Sequence, residues 1–223
     1  MQSTAQELEV AAARDAGRFG AVLALLLATF LVLATSPTGR FATIVTTMLQ
    51  ATTLVTALYA ARAPRRLFRL AVVVSLLSVA FTVVLALAGS GEQRDASLVV
   101  DLLLVGAAPA VIVAGIVRRR KVDVQTVLGA LCIYILIGMF WAFLYATIGA
   151  LGSAPFFAQT PEATTANYLY FSFVTLTTTG YGDFTAAGDF GRSVAVLEAL
   201  LGQLYLVTVV AVLVSNLVPR NRG

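Results

Sequence analysis

Long apolar runs, separated by short polar loops, dominate this chain. The runs Phe19 to Thr35, Phe41 to Ala61, Leu67 to Ala88, Ala96 to Val117 and Val124 to Leu151 follow one another, and a last one covers Arg192 to Val218 before Pro219. At about 1.5 Å per residue, runs of roughly twenty residues match a hydrocarbon core of about 30 Å, and helices satisfy their backbone within lipid. Residues 152–165 break the pattern with polar groups, Pro155 and Pro161, and read as an extracellular turret. A half-length apolar segment, about Ala166 to Thr177, then precedes a glycine-bearing loop. The pattern predicts an all-α membrane protein with six transmembrane helices per chain, plus one re-entrant half-helix.

Composition agrees. The 223 residues are 59% hydrophobic and only 12% charged, against roughly 25% charged in a soluble domain. There is no His and a single cysteine, Cys132, within an apolar run, so no disulfide forms inside one chain. Without a Cys or His cluster or a carboxylate pair at ligand spacing, the sequence offers neither a transition-metal site nor an acid-base constellation. It predicts no enzyme and no cofactor.

The net charge of +4 comes from basic residues beside apolar runs, which points to membrane headgroups rather than nucleic acid. Anionic lipids are the expected partners of Arg62, Arg65, Arg66, Arg69, Arg118, Arg119, Arg120 and Lys121. Those eight, with Arg14, Arg18, Arg220 and Arg222, fall on one side if both termini are cytoplasmic, leaving only Arg40, Arg94 and Arg192 outside. That distribution obeys the positive-inside rule. Residues 1–18 lack the apolar core and small-residue site of a removable signal peptide and read as a cytoplasmic segment. The expected layout is a four-helix transmembrane domain over 19–121, a second domain over 122–218 and a short cytoplasmic tail at 219–223, in a plasma membrane.

The chemistry concentrates in Thr175-Leu-Thr-Thr-Thr-Gly-Tyr-Gly-Asp183. Gly180 and Gly182 can take positive φ without a Cβ clash, which lets successive carbonyls point one way. Neutral hard oxygens of this kind suit alkali cations. Thr178 can add a hydroxyl as the lowest ring, Tyr181 would pack behind the loop, and Asp183 would set negative charge at the outer mouth. The half-helix Tyr168 to Val174 would aim its negative C-terminal end at a cation. A lone Gly-Tyr-Gly is an ordinary turn signal; placed after an aromatic half-helix and between two spanning helices, it is specific.

Over about residues 124 to 218 the chain resembles the pore domain of the potassium-channel family, whose Thr-Val-Gly-Tyr-Gly loop replaces the ion's water shell with carbonyls. The corresponding residues are Thr178, Thr179, Gly180, Tyr181 and Gly182, and the overall pattern is that of a bacterial six-helix member. The resemblance implies a selectivity-filter loop after a re-entrant pore helix, K+ held at Thr178, Thr179, Gly180 and Tyr181, and a tetrameric pore, because one chain carries one copy of the motif. It places Gly202 where related channels carry a hinge glycine, with close helix packing as the alternative. In that register Gln203, Leu206, Val210 and Val214 share the face lining the cavity.

Three departures stand out. Thr179 replaces the usual Val; Phe184 to Gly188 lacks the proline often found after the filter; and Val174 occupies the place of a carboxylate that partners the Asp183 position in some relatives. Asp183 must find another partner, or none. The fourth run carries Pro109 and Asp101 and no arginine ladder, so steep voltage dependence is not expected. Glu198, the carboxylate deep in the last run, is either a strut to the pore helix, through Ser172 or Thr175, or a protonated structural group. The sequence thus reads as a homotetrameric potassium channel, with a weakly selective cation channel, a receptor or scaffold, or a transporter subunit as alternatives.

Overall fold

A computed structural model describes residues 18–35, 39–88, 93–117 and 124–212. The expected N-terminal segment, the basic group Arg118 to Lys121, Val214 and the tail 219–223 lie outside the described residues. Seven α-helices account for nearly all of the rest: α1 Arg18–Thr35, α2 Arg40–Ala60, α3 Arg65–Ala88, α4 Gln93–Val117, α5 Val124–Leu151, α6 Thr165–Leu176 and α7 Asp189–Tyr205. A π-helical turn, Leu206–Val210, continues α7. No strand is formed among the described residues, apart from one isolated bridge between Phe157 and Ala186.

Four helices are long and apolar enough to cross a membrane, at Phe41–Ala60, Arg65–Ala88, Gln125–Leu151 and Asp189–Val209. Two shorter apolar helices occupy Phe19–Thr35 and Ser97–Val113, within α1 and α4. At 12 residues, α6 is about 18 Å long and covers only part of a bilayer.

Sequence explains the ends of these elements. Between α2 and α3 the Ala63 N–H donates to the Leu58 carbonyl (3.1 Å) and the Arg62 N–H to the Tyr59 carbonyl (3.2 Å), with Arg62 left-handed at φ 51°. That is a helix C-terminal reversal of the kind glycine usually makes, and Pro64 then prevents continuation. A cation at this point also favours the negative end of α2. At the other extreme α6 opens with a reciprocal cap. Thr164 accepts the Asn167 N–H through its hydroxyl (3.3 Å), and Asn167 returns a side-chain oxygen to the Thr164 N–H (2.8 Å), satisfying two otherwise orphaned donors.

The core is built around α5. Leu136, Met139, Phe143 and Tyr145 are fully buried, because α5 packs against α4, α1, α6 and α7. Phe19, Val22 and Leu26 of α1 and Ile112 of α4 complete the same cluster. By contrast, α3 and α7 leave most of their apolar surface open. On α7, Val196, Leu197, Leu200, Leu201, Leu204 and Val207 are each more than half exposed. In a lipid solvent such faces meet acyl chains or another protein surface.

Candidate functional site

The half-helix α6 lies against α5 on one side and α7 on the other, with α1 touching it as well. Ring contacts fix it: Phe30 of α1 meets Phe173 edge-on at 5.0 Å, and Phe171 meets Tyr145 of α5 at 5.1 Å. Phe157 of the turret is buried among Tyr168, Phe171 and Phe184, at 5.0, 5.3 and 5.1 Å. This aromatic block ties the N-terminal half of α6 to the segment following the glycine loop.

From α6 the backbone enters an alternating conformation. Thr178, Gly180 and Gly182 have φ of 56°, 59° and 79°, so every second residue from 178 to 182 is left-handed. Alternation of this kind gathers N–H groups on one side of the strand and carbonyls on the other. The N–H side is the inner one: Thr178 donates to the Thr175 carbonyl (2.9 Å), while Thr179 (2.9 Å) and Gly180 (3.3 Å) share the Val174 carbonyl. The five residues 178–182 are all exposed on the surface of the chain.

Left-handed geometry costs a non-glycine residue about 1–2 kcal/mol, and Thr178 is held there by two side-chain contacts. Its hydroxyl donates to the Thr177 carbonyl (2.7 Å) and accepts from Gln203 Nε2 (3.0 Å). Gln203 therefore reaches the foot of the loop from α7. The Thr179 hydroxyl turns back to that of Thr177 (2.9 Å), which donates to the Phe173 carbonyl (2.6 Å). The hydroxyl that distinguishes Thr179 from Val is anchored on α6.

At the outer end, Tyr181 stacks on Tyr170, with centroids 6.5 Å apart and planes inclined by 8°. Asp183 accepts the Phe184 N–H (3.1 Å), and its carboxylate lies near enough to Tyr170 to disfavour ionisation of that phenol. The segment without a proline is fixed by pairing with the turret. Ala158 N–H donates to Thr185 (3.0 Å), Ala187 N–H to Phe156 (2.8 Å), and Gln159 exchanges two bonds with Thr185 (2.8 and 2.9 Å).

On α7, Glu198 is fully buried. Tyr145 donates to its Oε2 (2.6 Å), and Ser172 Oγ lies 2.5 Å from its Oε1; Ser172, not Thr175, is the partner on α6. Gly202 sits where an added Cβ would fall 2.5 Å from the Leu176 carbonyl oxygen and 2.7 Å from Leu176 Cδ1. Close packing on the end of α6 is what this glycine allows. The π-helical turn begins at Leu206, so the regular register that joined Gln203 and Leu206 to Val210 and Val214 is interrupted, because a π-turn takes up an extra residue. Leu206 is half-buried, and the Val210 side chain lies outside the described residues.

Residues 129–218 match the family model described as Ion channel. This part of the chain is similar to an ion-channel domain. The match takes in most of α5, all of α6, the glycine loop and α7. No curated protein and no solved structure matches the chain.

Several residues of the site carry no motif. Tyr145 is the second partner of Glu198, Tyr170 stacks on Tyr181, and Phe30 and Phe157 brace α6. The signal for Tyr145 was a phenol inside an apolar helix, since a buried hydroxyl needs a partner. For Phe30 there was none.

Proposed function

We propose that four copies of this chain assemble around an axis into a potassium-selective channel that conducts K+ passively across a plasma membrane. Each copy would contribute residues 178–182, with K+ held by the carbonyls of Thr178, Thr179, Gly180 and Tyr181 and by the Thr178 hydroxyl. The observation that carries this reading is the alternation of left-handed residues at Thr178, Gly180 and Gly182, with the N–H groups of Thr178, Thr179 and Gly180 bound to α6. Carbonyls turned the other way form a file of neutral hard oxygens, the ligand set that replaces an alkali ion's hydration shell. One file supplies one ligand per level, so a ring requires several chains. The exposed apolar face of α7 supplies surface for that assembly.

In this reading α1 and α4 cross the membrane with the four longer helices, α6 is re-entrant, and both termini are cytoplasmic. Arg62, Arg65, Arg66 and Arg69, all exposed around the α2–α3 turn, then lie at the inner leaflet among anionic headgroups. The turn also frames an open cavity lined by Tyr59, Phe68 and three of these arginines. Asp183 sits at the extracellular mouth, and Gln203 just below the filter, with Leu206 further along α7 toward the cavity.

The purified chain reconstituted in liposomes tests this directly. Potassium efflux down its gradient is expected, with an added protonophore letting protons in to balance the charge, and with a reversal potential in mixed K+ and Na+ set by K+. Gly180→Asp should abolish flux. A reversal potential indifferent to the ion would favour a weakly selective cation channel; absence of flux from correctly folded protein would leave a receptor, scaffold or transporter subunit.

A further inference from the structure

Glu198 on α7, Ser172 on α6, Tyr145 and the Gly138 carbonyl on α5 meet in one cluster; Glu198, Ser172 and Tyr145 are fully buried. Three short contacts link them: Tyr145 Oη to Glu198 Oε2 (2.6 Å), Ser172 Oγ to Glu198 Oε1 (2.5 Å) and Ser172 Oγ to Gly138 O (2.7 Å). Each needs a proton between its oxygens. Tyr145 and Ser172 bring one each, and a backbone carbonyl can only accept. With Glu198 ionised there are two protons for three contacts, and one pair of oxygens would face each other lone pair to lone pair. Protonated, the count closes in a single way: Tyr145 donates to Oε2, the carboxyl donates from Oε1 to Ser172, and Ser172 donates to Gly138.

We infer that Glu198 works as a neutral carboxylic acid, a positioning residue that donates its proton to Ser172 and so locks α6 to both α5 and α7. This rests on the reading of the loop after α6 as an ion filter, and deepens it by naming what fixes the helix beneath that filter. Among the described residues, Tyr134 of α5 is the further ionisable group that interacts with Glu198, and α6 contributes the Ser172 hydroxyl. An amide reproduces the pattern, its Nε2 donating to Ser172 and its Oε1 accepting from Tyr145. A methyl group does not, and leaves Ser172 and Tyr145 short of a partner.

The decisive measurement is the infrared difference spectrum at neutral pH between the wild-type protein and Glu198→Gln, both in lipid. A carboxylic-acid C=O band lost in the variant is expected. Carboxylate bands in its place would overturn the inference, whether or not the protein conducts. As a second arm, Glu198→Gln should keep K+ flux, while Glu198→Ala should shift the folding or filter equilibrium by about tenfold, the scale of one unsatisfied buried group. Flux lost equally in both variants would show that the negative charge matters and would refute the neutral acid. An acid band in protein that conducts nothing would support the relay and reject the channel reading.

Discussion

Gly202→Ala separates the two roles open to that residue by the sign of its effect. In an unconstrained helix, replacing glycine by alanine stabilises by about 1 kcal/mol, because the backbone loses less freedom on folding. If Gly202 were only a hinge, the variant would therefore be more stable and would differ in gating. The structure gives the opposite expectation. The new Cβ would stand 2.5 Å from the Leu176 carbonyl oxygen and 2.7 Å from Leu176 Cδ1. The side chain could rotate away, but the carbonyl belongs to the last turn of α6 and cannot move without moving Thr177 and the glycine loop. Overpacking against well-packed neighbours costs about 1–3 kcal/mol, and the backbone obstacle places this case toward the upper end.

The net change is then about 1–2 kcal/mol of destabilisation once the propensity gain is subtracted. That corresponds to a melting temperature lower by about 2–8 °C for a chain of this size. Thermal melts in K+ and in Na+ add a readout of the filter, because an ion bound only by the folded loop raises stability by mass action. The variant should melt earlier in both salts and gain less from K+ than the wild type does. A higher melting temperature with an intact K+ increment and an altered open probability would refute the packing argument and restore the hinge.

Asp183→Asn should lower unitary conductance at low ionic strength and converge on wild type near 1 M salt, where the Debye length falls to about 3 Å; a difference that survives high salt would contradict a purely electrostatic role. Phe30→Ala removes the edge-to-face contact with Phe173 and should reduce stability by about 0.5–1.5 kcal/mol beyond the lost burial, read in the same thermal assay. The limiting slope of open probability against voltage should be shallow, because moving a charge through the field yields about 2.3 kcal/mol per 100 mV and α4 carries no basic ladder. A slope equivalent to several elementary charges would overturn this.

Hydropathy marked every helix in the described chain, because membrane helices need long apolar runs and little else. It also placed α6 within a residue or so of its observed bounds, Thr165–Leu176. The glycines at 180 and 182 announced their left-handed backbone. Thr178 did not, because its conformation is imposed by contacts with Thr177 and with Gln203, a residue 25 positions away in sequence. Glu198 was legible as an anomaly, whereas Tyr145, its partner 53 residues away, is one aromatic among many. The interruption of α7 at Leu206 has no proline or glycine to signal it, so the even spacing of Gln203, Leu206, Val210 and Val214 suggested a continuous face. Periodicity reports which side of a helix is apolar; it does not report a local change of pitch.

The absence of an arginine ladder changes what the first four helices can be asked to do. The first four helices also pack on the rest of the chain, and their contacts show where. Phe19 N–H donates to the Gln125 side chain at the start of α5 (3.1 Å), and further along α1, Phe30 rests on Phe173. The Phe173 ring in turn lies so close to Gly138 of α5 that a Cβ there would come within 2.6 Å of it. The Phe173 carbonyl holds the Thr177 hydroxyl, which holds Thr179. A contiguous set of contacts thus runs from α1 to the glycine loop without passing through α7. Both α1 and α5 pack against α6, so α1 is part of the support of the glycine loop, and of the filter if the proposed function holds.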